Sequence, residues 1–258
     1  MCLIAFSWQP GSAEPLRLAA NRDEFYARPT LPMHWWADAP LLAGRDLQEG
    51  GTWLGIARDG RFAALTNVRD PSRQRSGAPS RGRLPLGYLR EPGLAPARFI
   101  DRLQATAADY NGFNLLLGDL RRSELWWFSN HAPRDTRRLG PGVYGLSNAL
   151  LDTPWPKVER VRHALHTAAD DDDALLQAML DAQPAPDEAL PSTGVSRDWE
   201  RLLSAPFIRS THYGTRSTTL LRLGVGEARV VEHTHAHAGQ RGDVGAFRFA
   251  WGAAVQDQ

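Results

Sequence analysis

Met1-Cys2-Leu3-Ile4-Ala5-Phe6 and, beyond a break at Pro10, Gly11 and Pro15, Leu16-Arg17-Leu18-Ala19-Ala20-Asn21-Arg22-Asp23-Glu24 form the stretch on which the reading turns. The apolar runs 2–6 and 16–20 with turn residues between them predict a strand pair. Asn21, Arg22, Asp23 and Glu24 then follow the second strand directly, and the pairing brings Arg22 and Asp23 near Cys2. Cys2 is the only cysteine. Removal of Met1 would place a free α-amine on the same residue as the thiol. Such an amine titrates at about pH 7.7–8.0, so a neutral fraction can accept the thiol proton. A neighbouring cation favours thiolate, and a carboxylate can hold the ammonium. The competing readings are a structural cysteine at the start of a buried strand and a surface ion-pair cluster after it.

Outward from this hairpin the chain continues in short β-like runs. Residues 52–57 and 61–67 flank Asp59-Gly60, a hairpin dipeptide. Runs at 113–118, 124–128, 143–146, 217–223, 228–233 and 245–251 bring the expectation to about ten strands. Helices are expected at 96–108, 156–169 and 174–182. The first carries Phe99, Leu103 and Ala107 at helical spacing behind Pro96, and the second Val158, Val161 and Leu165. Asp170–Asp173 supplies acidic residues before the third. Strands, then central helices, then strands describe a layered α+β arrangement, not alternating βαβ units, in one domain spanning 1–258. Trp35-Trp36 and Trp126-Trp127 would each send one ring to either face of a strand.

Composition narrows the function classes. The 258 residues carry 30 basic and 29 acidic side chains, a balance of +1 that lacks a nucleic-acid footprint. No apolar run approaches the roughly 18–20 residues of a membrane span, and the N-terminus lacks the basic start of a signal peptide, so a cytoplasmic location is expected. One cysteine excludes an intrachain disulfide and a cysteine-rich metal site. Lys157 is the only lysine. Oligomeric state is not legible.

Three further polar clusters sit at comparable strand ends: Thr66-Asn67, Ser147-Asn148 and Gly214-Thr215-Arg216-Ser217. Acyl transfer through a thiol needs donors where the oxyanion forms, and asparagine amides suit that task. Each asparagine alone is more often a turn former. Together with Asn21-Arg22-Asp23-Glu24-Phe25-Tyr26, Glu49-Gly50-Gly51-Thr52-Trp53-Leu54-Gly55, Tyr110-Asn111-Gly112-Phe113-Asn114, Gly145-Leu146-Ser147-Asn148, Thr153-Pro154-Trp155 and Tyr213-Gly214-Thr215-Arg216, these residues resemble the NRDE-motif family, named for transport and Golgi organisation. The resemblance covers roughly residues 1–235. It implies the N-terminal-nucleophile hydrolase fold, a four-layer αββα sandwich, and kinship with choloylglycine and penicillin V acylases. On that likeness Cys2 resembles the nucleophile. Arg22 and Asp23 resemble its charged partners, adjacent here where those acylases space them further apart. Asn148 and Asn67 resemble the oxyanion and amine-orienting residues, and Arg216 the late arginine.

The chemistry so implied is amide hydrolysis or acyl transfer on a small or amphipathic substrate, with no cofactor required. The family's association with haem mobilisation and lipid homeostasis implies an alternative, a non-catalytic carrier with haem as cargo in the Cys2 pocket. His233, His235 and His237 alternate and would share one strand face; an exposed polar strand end is the favoured reading over metal or haem ligation. Residues 69–83, with Arg69, Arg73, Arg75, Arg81 and Arg83 against Asp70, read as a flexible loop or as a cationic flap over a carboxylate or phosphate.

Overall fold

Alternation along each strand decides the layers. In β1 (Cys2–Trp8), Ile4, Phe6 and Trp8 join one apolar cluster while Leu3 and Ala5 join another, as successive side chains must when both faces of a strand are covered. The computed structural model describes residues 2–168 and 170–251. It holds two antiparallel sheets. The first runs in the order β10 (Gly142–Leu146), β1, β2 (Leu16–Phe25), β11 (Tyr213–Leu223), β12 (Glu227–His235), β13 (Arg241–Ala250). The second runs in chain order through β3 (Thr30–Trp35), β4 (Leu41–Asp46), β5 (Leu54–Ala57), β6 (Arg61–Asn67), β7 (Phe113–Asp119), β8 (Glu124–Ser129) and β9 (Arg137–Arg138).

The sheets face each other across a core that sets Ile4, Phe6, Trp8 and Leu18 against Leu54, Ile56, Phe62 and Trp127. Truncating a ring such as Phe6 there costs about 3–5 kcal/mol. The outer face of the second sheet is covered by α1 (Arg83–Arg90) and α2 (Pro96–Gln104), through Tyr88, Leu89, Ile100 and Leu103 on Ala63, Leu115 and Leu117. The outer face of the first is covered by α3 (Pro156–Thr167) and α4 (Asp172–Met179), through Val158, Val161, Leu165 and Leu175 on Leu3, Ala5 and Ala19. The α+β fold is therefore the expected αββα sandwich. A fifth helix, α5 (Arg197–Leu203), leads into β11. Trp126 and Trp127 do divide between the two faces of β8. No helix among the described residues is long and apolar enough to cross a membrane.

The elements differ from expectation where local signals conflict. β3 was not foreseen: Pro32 interrupts it, and its register against β4 shifts between Leu31 and His34. The segment expected as a loop at 69–83 ends on the first residue of α1, a helix whose N-cap, Gly82, supplies no side-chain bond. α2 stops at Gln104, short of the predicted 108, and gives way to a single 3-10 turn at Ala107–Asp109. α4 starts earlier than predicted because the Asp171 carboxylate accepts the Ala174 N–H at 2.9 Å, an N-cap.

Candidate active site

β2 does not end at Ala20. It runs to Phe25 because its β11 edge stays paired: Cys2 lies opposite Arg22 and Leu3 opposite Asn21 on β1, where that edge ends, while Asp23 lies opposite Thr215, Glu24 opposite Gly214 and Phe25 opposite Tyr213 on β11. Asn21-Arg22-Asp23-Glu24 is thus inside a central strand, not beyond its end, and the pleat sorts its side chains. Asn21 and Asp23 are buried, while Arg22 and Glu24 are half-buried. Asn21 is a rivet: its Nδ2 donates to the Met179 carbonyl at 2.8 Å and the Pro206 carbonyl at 2.9 Å, and its Oδ1 accepts from the Thr218 hydroxyl at 2.7 Å. Asp23 accepts from the Thr215 hydroxyl at 2.8 Å.

Cys2, Arg22, Asp23, Asn67 and Arg216 line one cavity of about 420 Å³. Asn148, the sixth predicted residue, stands behind its wall. Its Nδ2 donates to the Asn67 backbone carbonyl at 3.0 Å, and its own carbonyl accepts from Arg69 N at 2.8 Å. Neighbouring bonds complete the stitching between sheets: Thr66 Oγ1 donates to the Ser147 carbonyl at 2.6 Å, and Asn114 Nδ2 donates to the Ala149 carbonyl at 2.8 Å. The Ser147 hydroxyl donates in turn to the Cys2 carbonyl at 3.0 Å. The turn after β10 therefore ties the Cys2 backbone to the end of β6, where Asn67 faces the cavity.

Arg216 owes its position to a bulge. Register shifts between Thr215 and Ser217, so Arg216 has no cross-strand partner. Its Nη1 donates to the carbonyls of Phe25 and Arg28 at 3.1 Å each. It pins the corner that leads from β2 to β3 as well as lining the cavity.

The electrostatics are set by burial. Cys2 is 6% exposed, and burial pushes its thiol up to about 11, with the Asp23 carboxylate adding to the rise and Arg22 opposing it. Burial also raises Asp23, against the pull of Lys157. Lys157, 1% exposed at the start of α3, was not anticipated as a site residue. Its amine has no hydrogen-bond partner among the described residues, and burial brings it down to about 8 while Asp23 opposes the fall. Beside it lies a buried ion pair, Arg69 Nη1 to Glu200 Oε2 at 2.7 Å, with Arg69 over the Trp155 ring. The lone lysine of an arginine-rich chain was visible in sequence; its burial was not.

The segment 69–83 is exposed through 71–77 but tied at three points. Arg69 is in the buried pair, Arg75 N donates to the Asn111 side chain at 2.7 Å, and Arg81 Nη1 donates to the Gly112 carbonyl at 3.0 Å. Arg81 lines the cavity. Gly51 explains the close fit of this segment: a Cβ there would lie 2.5 Å from the Gly82 carbonyl carbon, and Thr52 N donates to the Gly82 carbonyl at 3.1 Å.

The three histidines do not share a face. β12 shifts register between His233 and His235, and His237 lies in a 3-10 turn with its ring 5.2 Å from that of Tyr26. His235 is buried, not exposed as expected, with Nε2 2.9 Å from the Thr218 hydroxyl. No cluster of metal-ligating side chains occurs among the described residues.

Residues 1–237 match the family model for Transport and Golgi organisation 2. The chain belongs to this family. The Transport and Golgi organization protein 2 homolog of Bos taurus is 36% identical over 246 residues, covering 86% of this chain and 88% of the relative. The Homo sapiens homolog is 34% identical over 244 residues, with the same shares of 86% and 88%. Among solved structures, a Caenorhabditis elegans N-acylethanolamine-hydrolyzing acid amidase ortholog overlays with a TM-score of 0.36 at 11% identity, covering 85% of this chain and 92% of that one. The Transport and Golgi organisation 2 match ends between β12 and β13, so the outermost strand of the first sheet lies beyond it.

Proposed function

We propose that this chain is a thiol-dependent amide hydrolase or acyl transferase with Cys2 as nucleophile. The observation that supports it best is the shared cavity: the chain's only cysteine lines it together with an arginine, a carboxylate and an asparagine amide. A thiol held near 11 needs a base beside it. In protein lacking Met1 that base is the α-amine of Cys2 itself. As Sγ bonds to the substrate carbonyl carbon, the thiol proton passes to this amine and the carbonyl oxygen becomes an oxyanion. Asp23 balances the ammonium. Asn67, whose amide makes no side-chain bond among the described residues, donates to the oxyanion, and Asn148 holds Asn67 in place. Collapse breaks the C–N bond, and the ammonium returns its proton to the departing amine. Water or a second amine then attacks the thioester, and the thiol reforms.

Haem carriage in the same cavity calls for an apolar slot; Arg22, Glu24, Arg28, Asp46 and Arg81 in the lining favour the acyl chemistry. The test is amine release from a panel of N-acyl amides by protein whose intact mass shows Met1 removed. Turnover is expected and should vanish in Cys2→Ser. Turnover that survives Cys2→Ser would end the reading, and a saturable Soret shift without turnover would favour the carrier.

A further inference from the structure

Three guanidinium groups in the cavity wall have no carboxylate partner among the described residues. One of them, Arg216, is taken up by the carbonyls of Phe25, Tyr26 and Arg28, which leaves Arg22 and Arg81. Arg22 is the cross-strand neighbour of Cys2, and its side chain has no hydrogen bond or ion pair among the described residues. Arg81 has only the Gly112 carbonyl, at 3.0 Å. Four of the six acids of the same wall are engaged elsewhere, and the other two are exposed. Asp46 pairs with Arg28 at 2.6 Å, and Glu232 Oε2 accepts the Met33 N–H at 2.6 Å. Glu24 Oε1 accepts the Phe25 N–H at 2.9 Å, with Oε2 3.9 Å from Arg28. Asp23 takes the Thr215 hydroxyl, and Glu49 and Asp243 are exposed. Burial lowers the Arg81 pKa, the mark of a cation short of compensation. Its place is nonetheless fixed, by the Gly51–Gly82 backbone contact on one side and Gly112 on the other.

We infer that Arg81 and Arg22 form an anion-binding subsite for a carboxylate, so that the substrates of Cys2 are small amides or acyl compounds bearing a carboxylate; this rests on the cavity being the substrate site, as proposed above. A guanidinium presents paired N–H donors in a plane that matches a carboxylate, and part of each fork is unspent here. Fixing Arg81 in advance reduces the ordering cost of binding. A cavity of about 420 Å³ admits a ligand of modest size.

Calorimetric titration of Cys2→Ser protein with N-acetylglycine, its neutral analogue N-acetylglycinamide, and inorganic phosphate tests this without turnover. N-acetylglycine should bind at least tenfold more tightly than N-acetylglycinamide, and Arg81→Gln should erase the difference. Equal affinities, or no binding of N-acetylglycine, would overturn the inference. So would phosphate binding more tightly than the carboxylate with the same loss in Arg81→Gln. If Arg81→Gln fails to fold, the charged and neutral ligand pair on Cys2→Ser still decides. Discrimination by Cys2→Ser with no turnover by wild type would remove the hydrolase reading and keep the subsite. Turnover of neutral amides without discrimination would do the reverse.

Discussion

Asn148 Nδ2 donates to the backbone carbonyl of Asn67 at 3.0 Å, although Asn148 follows a strand of one sheet and Asn67 ends a strand of the other. The two asparagines therefore divide their work. Asn148→Ala leaves a carbonyl without its donor and should cost about 1–3 kcal/mol in urea unfolding. Asn67→Ala removes an amide with no side-chain bond among the described residues, so stability should change by less than about 0.5 kcal/mol. Amide turnover should nevertheless fall about 10²–10³-fold, as kcat. Equal stability losses in both variants would contradict the division.

Lys157 predicts a rise of stability in alkaline solution. Its amine titrates at about 8 when folded against 10.5 ordinarily. Below about pH 8 both states are charged and the folded chain bears the burial cost in full. Between 8 and 10.5 the unfolded chain holds a proton that the folded chain has lost, so stability climbs with pH, by up to about 3 kcal/mol. Cys2 acts oppositely above its ordinary 9.0, because its folded thiol keeps its proton up to about 11. Urea unfolding from pH 7 to 10.5 should therefore be run on Cys2→Ser protein, where adding Lys157→Met should flatten the slope.

The Arg69–Glu200 pair is buried on both sides, 4% and 3% exposed by side chain. Removing one partner strands the other charge. Glu200→Leu should cost about 3–5 kcal/mol, more so because Thr193 N and Oγ1 both donate to Glu200 Oε1 at 2.7 Å. Adding Arg69→Met should cost less than the two single changes together. Additive losses in denaturant would contradict the coupling.

Gly51→Ala drives a methyl into the Gly82 backbone, where no flexible side chain can yield. A loss of about 1–3 kcal/mol is expected, with loss of the carboxylate preference assigned to Arg81. Gly140→Ala, with open space around its Cβ position, should change stability by less than about 0.5 kcal/mol. Matching thermal shifts for the two would refute the close-contact argument.

The β1–β2 hairpin and the buried stripe of α3 were legible because apolar spacing states them directly. The fate of Asn21 through Glu24 was not: four successive polar residues give no alternation to read, and only the continued pairing of β2 with β11 shows that two of them are buried. Asn67 and Asn148 were both recognisable as amides at strand ends. Which one is spent on a carbonyl depends on the gap between sheets, a tertiary fact. Lys157 stands in the first turn of a helix, a position that is normally solvated, so its burial follows from how α3 sits on β1 and β10.

That burial has a practical side. Lys157 is the chain's only side-chain amine, and it is 1% exposed. Acylating reagents, amine cross-linkers and enzymes that conjugate to lysine find no ε-amino target on the folded protein. A lysine-specific protease has one bond to cut, and it lies at the root of α3. Labelling at Lys157 is thus a single-residue gauge of how often the helix layer lifts from the first sheet.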